Sequence, residues 1–176
     1  MRLQGKTVLI FAAPHFEDLE LLYPKIRLEE EGATVVVAGL GEKTYAGKKG
    51  HTVTADENVD DVYVEEYDAL VIPGGWAPDV MRRSDKLLRI TRDFAVAGKP
   101  VAFICHAAWV LASAGLLKGR RATCVRAIRD DVVNAGAEYV DEAVVVDGNL
   151  ISSRTPADLA PFCRALIAAI AGEKPA

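Results

Sequence analysis

Three features of the sequence predict an α/β fold built on a mostly parallel sheet. Short β-branched runs alternate with longer stretches of helical composition, most runs end in a glycine- or proline-rich turn, and Val101–Ile104 is apolar throughout, as in a strand buried on both faces. Taken in order, Thr7 to Ala12 is the first buried strand. Glu17 to Glu31 is a helix with Leu19, Leu22, Ile26 and Leu28 near helical spacing, bent or interrupted at Pro24 and closed by Gly32. Thr34 to Leu40 is the second strand, and Gly39 to Thr54 is a loop with a short excursion of weak strands.

Tyr67 to Ile72 is a central strand ending in Pro73-Gly74-Gly75. Ser84 caps a helix that runs to about Ala97 and is stopped by Gly98 and Pro100. After the Val101–Ile104 strand, His106 to Ala114 is helical and stops at Gly115. Ile128 to Asn134 is a short helix capped by Gly136, and Val144 to Ile151 is a hairpin turning at Asp147-Gly148. Pro156 opens a last helix, Ala157 to about Ala171, with a short frayed tail beyond it. No repeat, low-complexity stretch or linker divides the 176 residues, so a single domain over residues 1–176 is expected.

Net charge is −4, and the basic cluster Lys118, Arg120, Arg121, Arg126 and Arg129 is broken by apolar residues and followed by Asp130 and Asp131. Nucleic acid is therefore not an expected partner. The odd set of cysteines, Cys105, Cys124 and Cys163, argues against a disulfide framework and for a reducing compartment. The first apolar run, Val8 to Ala13, is too short for a signal-peptide core, and no segment has the apolar length of a membrane span. A cytoplasmic protein without a membrane partner is expected. Three histidines and three cysteines at wide spacings give no metal site, and no cofactor is called for.

Chemistry is concentrated in Ala102-Phe103-Ile104-Cys105-His106-Ala107-Ala108, where an apolar strand meets a helix of small residues with Cys105 at the corner. Such a nucleophile elbow presents a side chain at the carboxyl end of the sheet, where ligands of open α/β folds bind. The helix N-terminus and the His106 imidazole favour a thiolate there. The plain alternative is a small buried hydrophobe. Glu17, at the start of the first helix, either hydrogen-bonds that thiolate as a protonated acid or only complements the helix dipole. Gly74 and Gly75 let backbone amides approach a bound group as an oxyanion hole, or simply form a tight turn. Asp79 is a helix-start candidate, and Trp76 and Trp109 are candidates for lining the site or for packing.

Several motifs together resemble PfpI-type proteins: Phe16-Glu17-Asp18-Leu19-Glu20-Leu21, Tyr67 to Gly75, Ile104-Cys105-His106, Asn134-Ala135-Gly136-Ala137, and Val145 to Leu159. This family belongs to the superfamily of the Parkinsonism-associated deglycase and the class I glutamine amidotransferases. The resemblance implies a flavodoxin-like three-layer sandwich with helices on both faces of the sheet. It implies Cys105 as nucleophile, Glu17 as the acid that holds the thiolate, and His106 as general base or proton shuttle. It also implies the backbone of Gly75 and His106 as the oxyanion hole. Asp79 matches an acid that reaches a neighbouring subunit's histidine, which makes a homodimer or hexamer part of the active site. Two departures stand out. Ala107-Ala108 replaces the Gly-Pro of many relatives, with the Ala107 methyl expected beside the oxyanion hole, and Val125 replaces a tyrosine of some relatives.

Two classes of function follow from the resemblance. One is a stress-response cysteine enzyme acting on a small aldehyde, of glutathione-independent glyoxalase or deglycase type, or on a peptide as an intracellular peptidase. The other is a non-catalytic redox sensor or holdase chaperone that uses oxidation of Cys105. Aldehyde chemistry ranks above proteolysis because an amine is the poorer leaving group. A glutamine amidotransferase is excluded, since no histidine follows His106 to build its late His-Glu dyad.

Overall fold

The computed structural model describes residues 1–173. The elements in chain order are β1 (Thr7–Phe11), α1 (Asp18–Glu30), β2 (Thr34–Gly39), β3 (Thr44–Ala46), β4 (Thr52–Thr54), β5 (Glu57–Asn58), β6 (Ala69–Ile72), α2 (Ala77–Met81) and α3 (Asp85–Val96). There follow β7 (Val101–Ile104), α4 (Ala108–Ser113), β8 (Arg121–Ala122), α5 (Arg129–Asn134), β9 (Glu138–Tyr139), β10 (Val145–Asp147), β11 (Leu150–Ser153) and α6 (Leu159–Ile170). The last three residues of the expected C-terminal tail lie outside the described residues.

The main sheet has seven strands in the order β10-β11-β7-β6-β1-β2-β5. Every pairing in it is parallel except the β10–β11 hairpin. α1 and α6 pack together on one face, while α3 lies against β6 and β7 and touches α4 on the other. This is the flavodoxin-like sandwich that the resemblance implies. β1, β6 and β7 are buried almost throughout, as their unbroken apolar runs require, and Leu9, Ile10, Leu70, Ile72 and Phe103 have no exposure.

The strand order has a direct consequence for function. β7, β6 and β1 are neighbours, so their carboxyl ends bring together Cys105, the Gly74-Gly75 turn and the segment His15–Glu20. Those three stretches are far apart in sequence and adjacent only because each strand returns parallel to the last.

Several expectations need correction. α1 runs unbroken through Pro24. It buries Glu20, Leu21, Pro24 and Leu28 and leaves Leu19 and Ile26 about half exposed or more. The apolar residues alone gave the wrong phase because a glutamate occupies the inward stripe. β5, β8 and β9 are two-residue strands, too short to show periodicity. The loop after Gly39 does contain a hairpin, β3–β4.

Candidate active site

Cys105 has φ +63°. An L-residue in this left-handed region costs on the order of 1–3 kcal/mol, and such strain persists only where the surroundings enforce it. Here Ile104 is fully extended and buried, a 3-10 turn over Cys105–Ala107 follows at once, and α4 begins at Ala108. The thiol is half-buried at this corner. The backbone amides of Gly75 and His106 lie near its sulfur and favour the thiolate. They are the two amides that the resemblance assigns to an oxyanion hole.

The acid that meets the sulfur is Glu20, not Glu17. Glu20 is completely buried, and its Oε2 accepts the Gly74 N–H at 2.8 Å. Its carboxyl lies beside the Cys105 side chain, since Glu20 Oε2 and Cys105 Cβ both crowd the same face of Gly74. Glu17 sits at the N-cap of α1, where its carboxylate accepts the Leu19 N–H at 3.4 Å. It therefore plays the helix-terminal role that was the plainer of its two readings. The two glutamates are three residues apart, and only the second reaches the Gly74 N–H in the turn after β6.

Burial pushes the Glu20 carboxyl up to about 8, helped by the charge of Glu17 and opposed by the Gly74 N–H. A carboxylic acid is thus kept protonated at neutral pH next to a sulfur. Its Oε1 is buried with no hydrogen-bond partner among the described residues. Burial and the Glu20 charge push the Cys105 thiol up to about 12, against the two amides. Protonating Glu20 removes the repulsion and supplies an O–H donor to a thiolate, so the two groups act as a unit. The helix dipole contributes less than the sequence suggested, because α4 has only six residues and begins after the 3-10 turn.

His106 Nδ1 lies 3.3 Å from the sulfur. Burial lowers the imidazole pKa and the Lys48 ammonium lowers it further, so the ring is a neutral base at pH 7. The ring is clamped between the indoles of Trp76 and Trp109, with centroids 5.3 and 5.1 Å away. A cation lies outside each indole: Lys48 Nζ at 5.6 Å from Trp76 and the Arg82 guanidinium at 5.3 Å from Trp109. The Trp109 Nε1–H donates to Asp131 at 2.9 Å. Lys48 and Asp131 carried no signal in the sequence, since each is one charged residue among many on a loop or short helix.

The glycines are required by close approach. A Cβ at Gly74 would stand 2.4 Å from Glu20 Oε2 and 2.8 Å from Cys105 Cβ. Gly75, at φ +76°, leaves a Cβ only 2.4 Å from the Glu17 nitrogen. Ala107 is fully buried in the core, so its methyl does not line the accessible site. Asp79 is exposed on α2 and pairs with Arg83 at 3.2 Å, with no hydrogen bond to His106 of its own chain among the described residues.

Around this strained cysteine, buried acid and adjacent imidazole at the carboxyl edge of the sheet, the model of the DJ-1/PfpI family matches residues 6–169. The chain belongs to the DJ-1/PfpI family. Over 160 residues it is 51% identical to a deglycase of Thermococcus kodakarensis, covering 91% of this chain and 96% of that one. It is 43% identical to protein/nucleic acid deglycase 2 of Escherichia coli, covering 91% and 95%. The crystal structure of Drosophila melanogaster DJ-1beta superposes with a TM-score of 0.90 at 30% identity, over 97% of this chain and 92% of that one. In this DJ-1/PfpI member no helix among the described residues is long and apolar enough to cross a membrane.

Proposed function

We propose that the protein converts small 2-oxo aldehydes to 2-hydroxy acids without glutathione, through Cys105, as a stress-response enzyme of the cytoplasm. The observation that carries this reading is the strained Cys105 with its sulfur 3.3 Å from His106 Nδ1 and the fully buried Glu20 carboxyl close beside it. The thiolate attacks the aldehyde carbon of methylglyoxal, and the oxygen takes a proton to give a hemithioacetal. Neutral His106 removes the proton from that carbon and returns one to the neighbouring carbon through an enediol, leaving a lactoyl thioester. Water then hydrolyses the thioester, so that methylglyoxal and water become lactate and the thiol is regenerated. The amides of Gly75 and His106 bind the oxyanion as it forms.

Asp79 completes the site from a second copy of the chain. His106 makes no hydrogen bond to a carboxylate among the described residues, and Asp79 is exposed and turned to solvent. A homo-oligomer supplies the missing acid to the imidazole.

The test is lactate formation from methylglyoxal by fully reduced protein with no glutathione present. Wild type is expected to turn over, Cys105→Ser to lose activity by at least about a hundredfold, and Glu20→Gln to lose about tenfold or more. Absence of lactate with reduced wild type would overturn the carbonyl reading and return attention to peptides or to thiol oxidation.

A further inference from the structure

A cavity of about 530 Å³ lies beside the elbow, on its β11 side. Two of its walls are tied to the catalytic strand. Cys124 lines it, and the next residue, Val125, donates its N–H to the Cys105 carbonyl at 3.5 Å. Arg154 and Thr155 line it too, and they follow directly on Ser153, which pairs with Ile104. The cavity therefore shares the carboxyl end of the sheet with the thiol.

Its charge is not balanced. The lining acids, Asp141 and Asp158, are both engaged by Arg154, at 3.0 and 2.9 Å. Arg126 and Arg129 also line the cavity, are exposed, and make no ion pair among the described residues. Arg129 lies over the Tyr139 ring at 5.5 Å from its centroid, which holds the guanidinium at the rim without satisfying its donors. What remains uncommitted is two guanidinium forks, and such forks match the oxygens of carboxylates and phosphates.

We propose that this cavity receives a carboxylate or phosphate group on the substrate, so that the protein prefers anionic 2-oxo aldehydes over neutral ones. This rests on the carbonyl reading above for the reacting end of the substrate. The anionic group sits against Arg126 and Arg129 while the aldehyde carbon reaches Cys105. The reaction is unchanged: 2-oxo aldehyde and water give the 2-hydroxy acid.

The experiment compares kcat/KM for methylglyoxal, 4,5-dioxopentanoate and hydroxypyruvaldehyde phosphate in wild type and in the double variant Arg126→Ala/Arg129→Ala. The second and third substrates carry a carboxylate and a phosphate respectively, and whichever is favoured identifies the source of the charge. For wild type, one anionic substrate is expected to exceed methylglyoxal by about tenfold or more, with the ratio falling as salt is raised. In the double variant that ratio is expected to drop about tenfold. Equal ratios in wild type and a folded double variant would overturn the proposal. Calorimetric titration with inorganic phosphate separates the two readings. With no turnover of any dicarbonyl, binding of phosphate, or of propionate titrated in the same way, by wild type and its loss in the variant supports the anion site, and binding of neither by wild type overturns it.

Discussion

Glu20 and Cys105 cannot both be negative in a buried space without repelling each other, so the acid keeps its proton and the sulfur benefits. This fixes a pH profile. The acid's value near 8 predicts that activity falls as pH rises through about 8, where the O–H donor is lost and a second charge appears beside the thiolate. Initial rates across pH 6 to 9.5 check it, with Glu20→Gln expected to show a lower and flatter upper limb. The same group sets a stability trend. Its folded value of about 8 lies above the ordinary value of 4.5, so the folded chain holds the extra proton between them. Its stabilising contribution is complete below the lower value and is lost as pH rises through the upper one. While it is being lost, the slope is about 1.4 kcal/mol per pH unit. Urea midpoints should therefore fall between pH 5 and pH 8 in wild type and hold nearly level in Glu20→Gln. Equal slopes in the two would rule Glu20 out as the cause. Cys105 was legible in the sequence because an apolar strand and a small-residue helix meet at it. Glu20 was not, because Glu17 and Glu20 differ only in helical phase, and a charged residue in the inward stripe hides the phase that would distinguish them.

The site depends on loops stitched to one another more than on long elements. The loop after β1 and the loop after β6 are joined by an isolated bridge between Phe16 and Gly75. The Glu17 N–H donates to the Gly74 carbonyl at 3.1 Å, and the Trp76 N–H to the His15 carbonyl at 2.9 Å. Gly75→Ala would drive a methyl into the Glu17 backbone and force alanine to adopt φ +76°. Thermal melts should show a loss of about 2 kcal/mol or more, with activity falling further than stability because one oxyanion donor moves. Asp18 anchors the β3–β4 hairpin beside the site, accepting the N–H groups of Lys49 and His51 at 3.0 Å each. Trp76 and Trp109 are positioning residues for His106. Trp109→Leu removes one wall of the clamp and admits water to the ring, so the His106 pKa should rise toward its ordinary value. An NMR titration of the imidazole would show that rise, and an unchanged titration would reduce Trp109 to packing. At this scale the sequence was informative wherever a cap or an apolar run was present. Ser84 does cap α3, accepting the Leu87 N–H at 3.2 Å. The two-residue strands were invisible because each is fixed by a neighbour distant in sequence.

At the scale of the molecule, parallel return of β1, β6 and β7 converts three separated motifs into one site, and alternation of strands with helices was enough to anticipate that sheet. One acid remains unplaced by a single chain. Asp79 faces solvent with Arg83, and exposed apolar side chains at Leu19, Ile26 and Trp76 lie on the same subunit's surface. If Asp79 serves the His106 of a second copy, two inactive variants should repair each other. Cys105→Ser keeps its aspartate, and Asp79→Asn keeps its thiol. In a mixed dimer one of the two sites receives both working groups. Random mixing of equal amounts therefore leaves about a quarter of the sites complete. Co-refolding the two variants should recover about a quarter of wild-type turnover, while each alone stays at its own residual level. Recovery has to disappear when the variants are mixed without exchange of subunits. A mixture no more active than the average of its two components would confine the catalytic groups to one chain and leave Asp79 as a surface partner of Arg83.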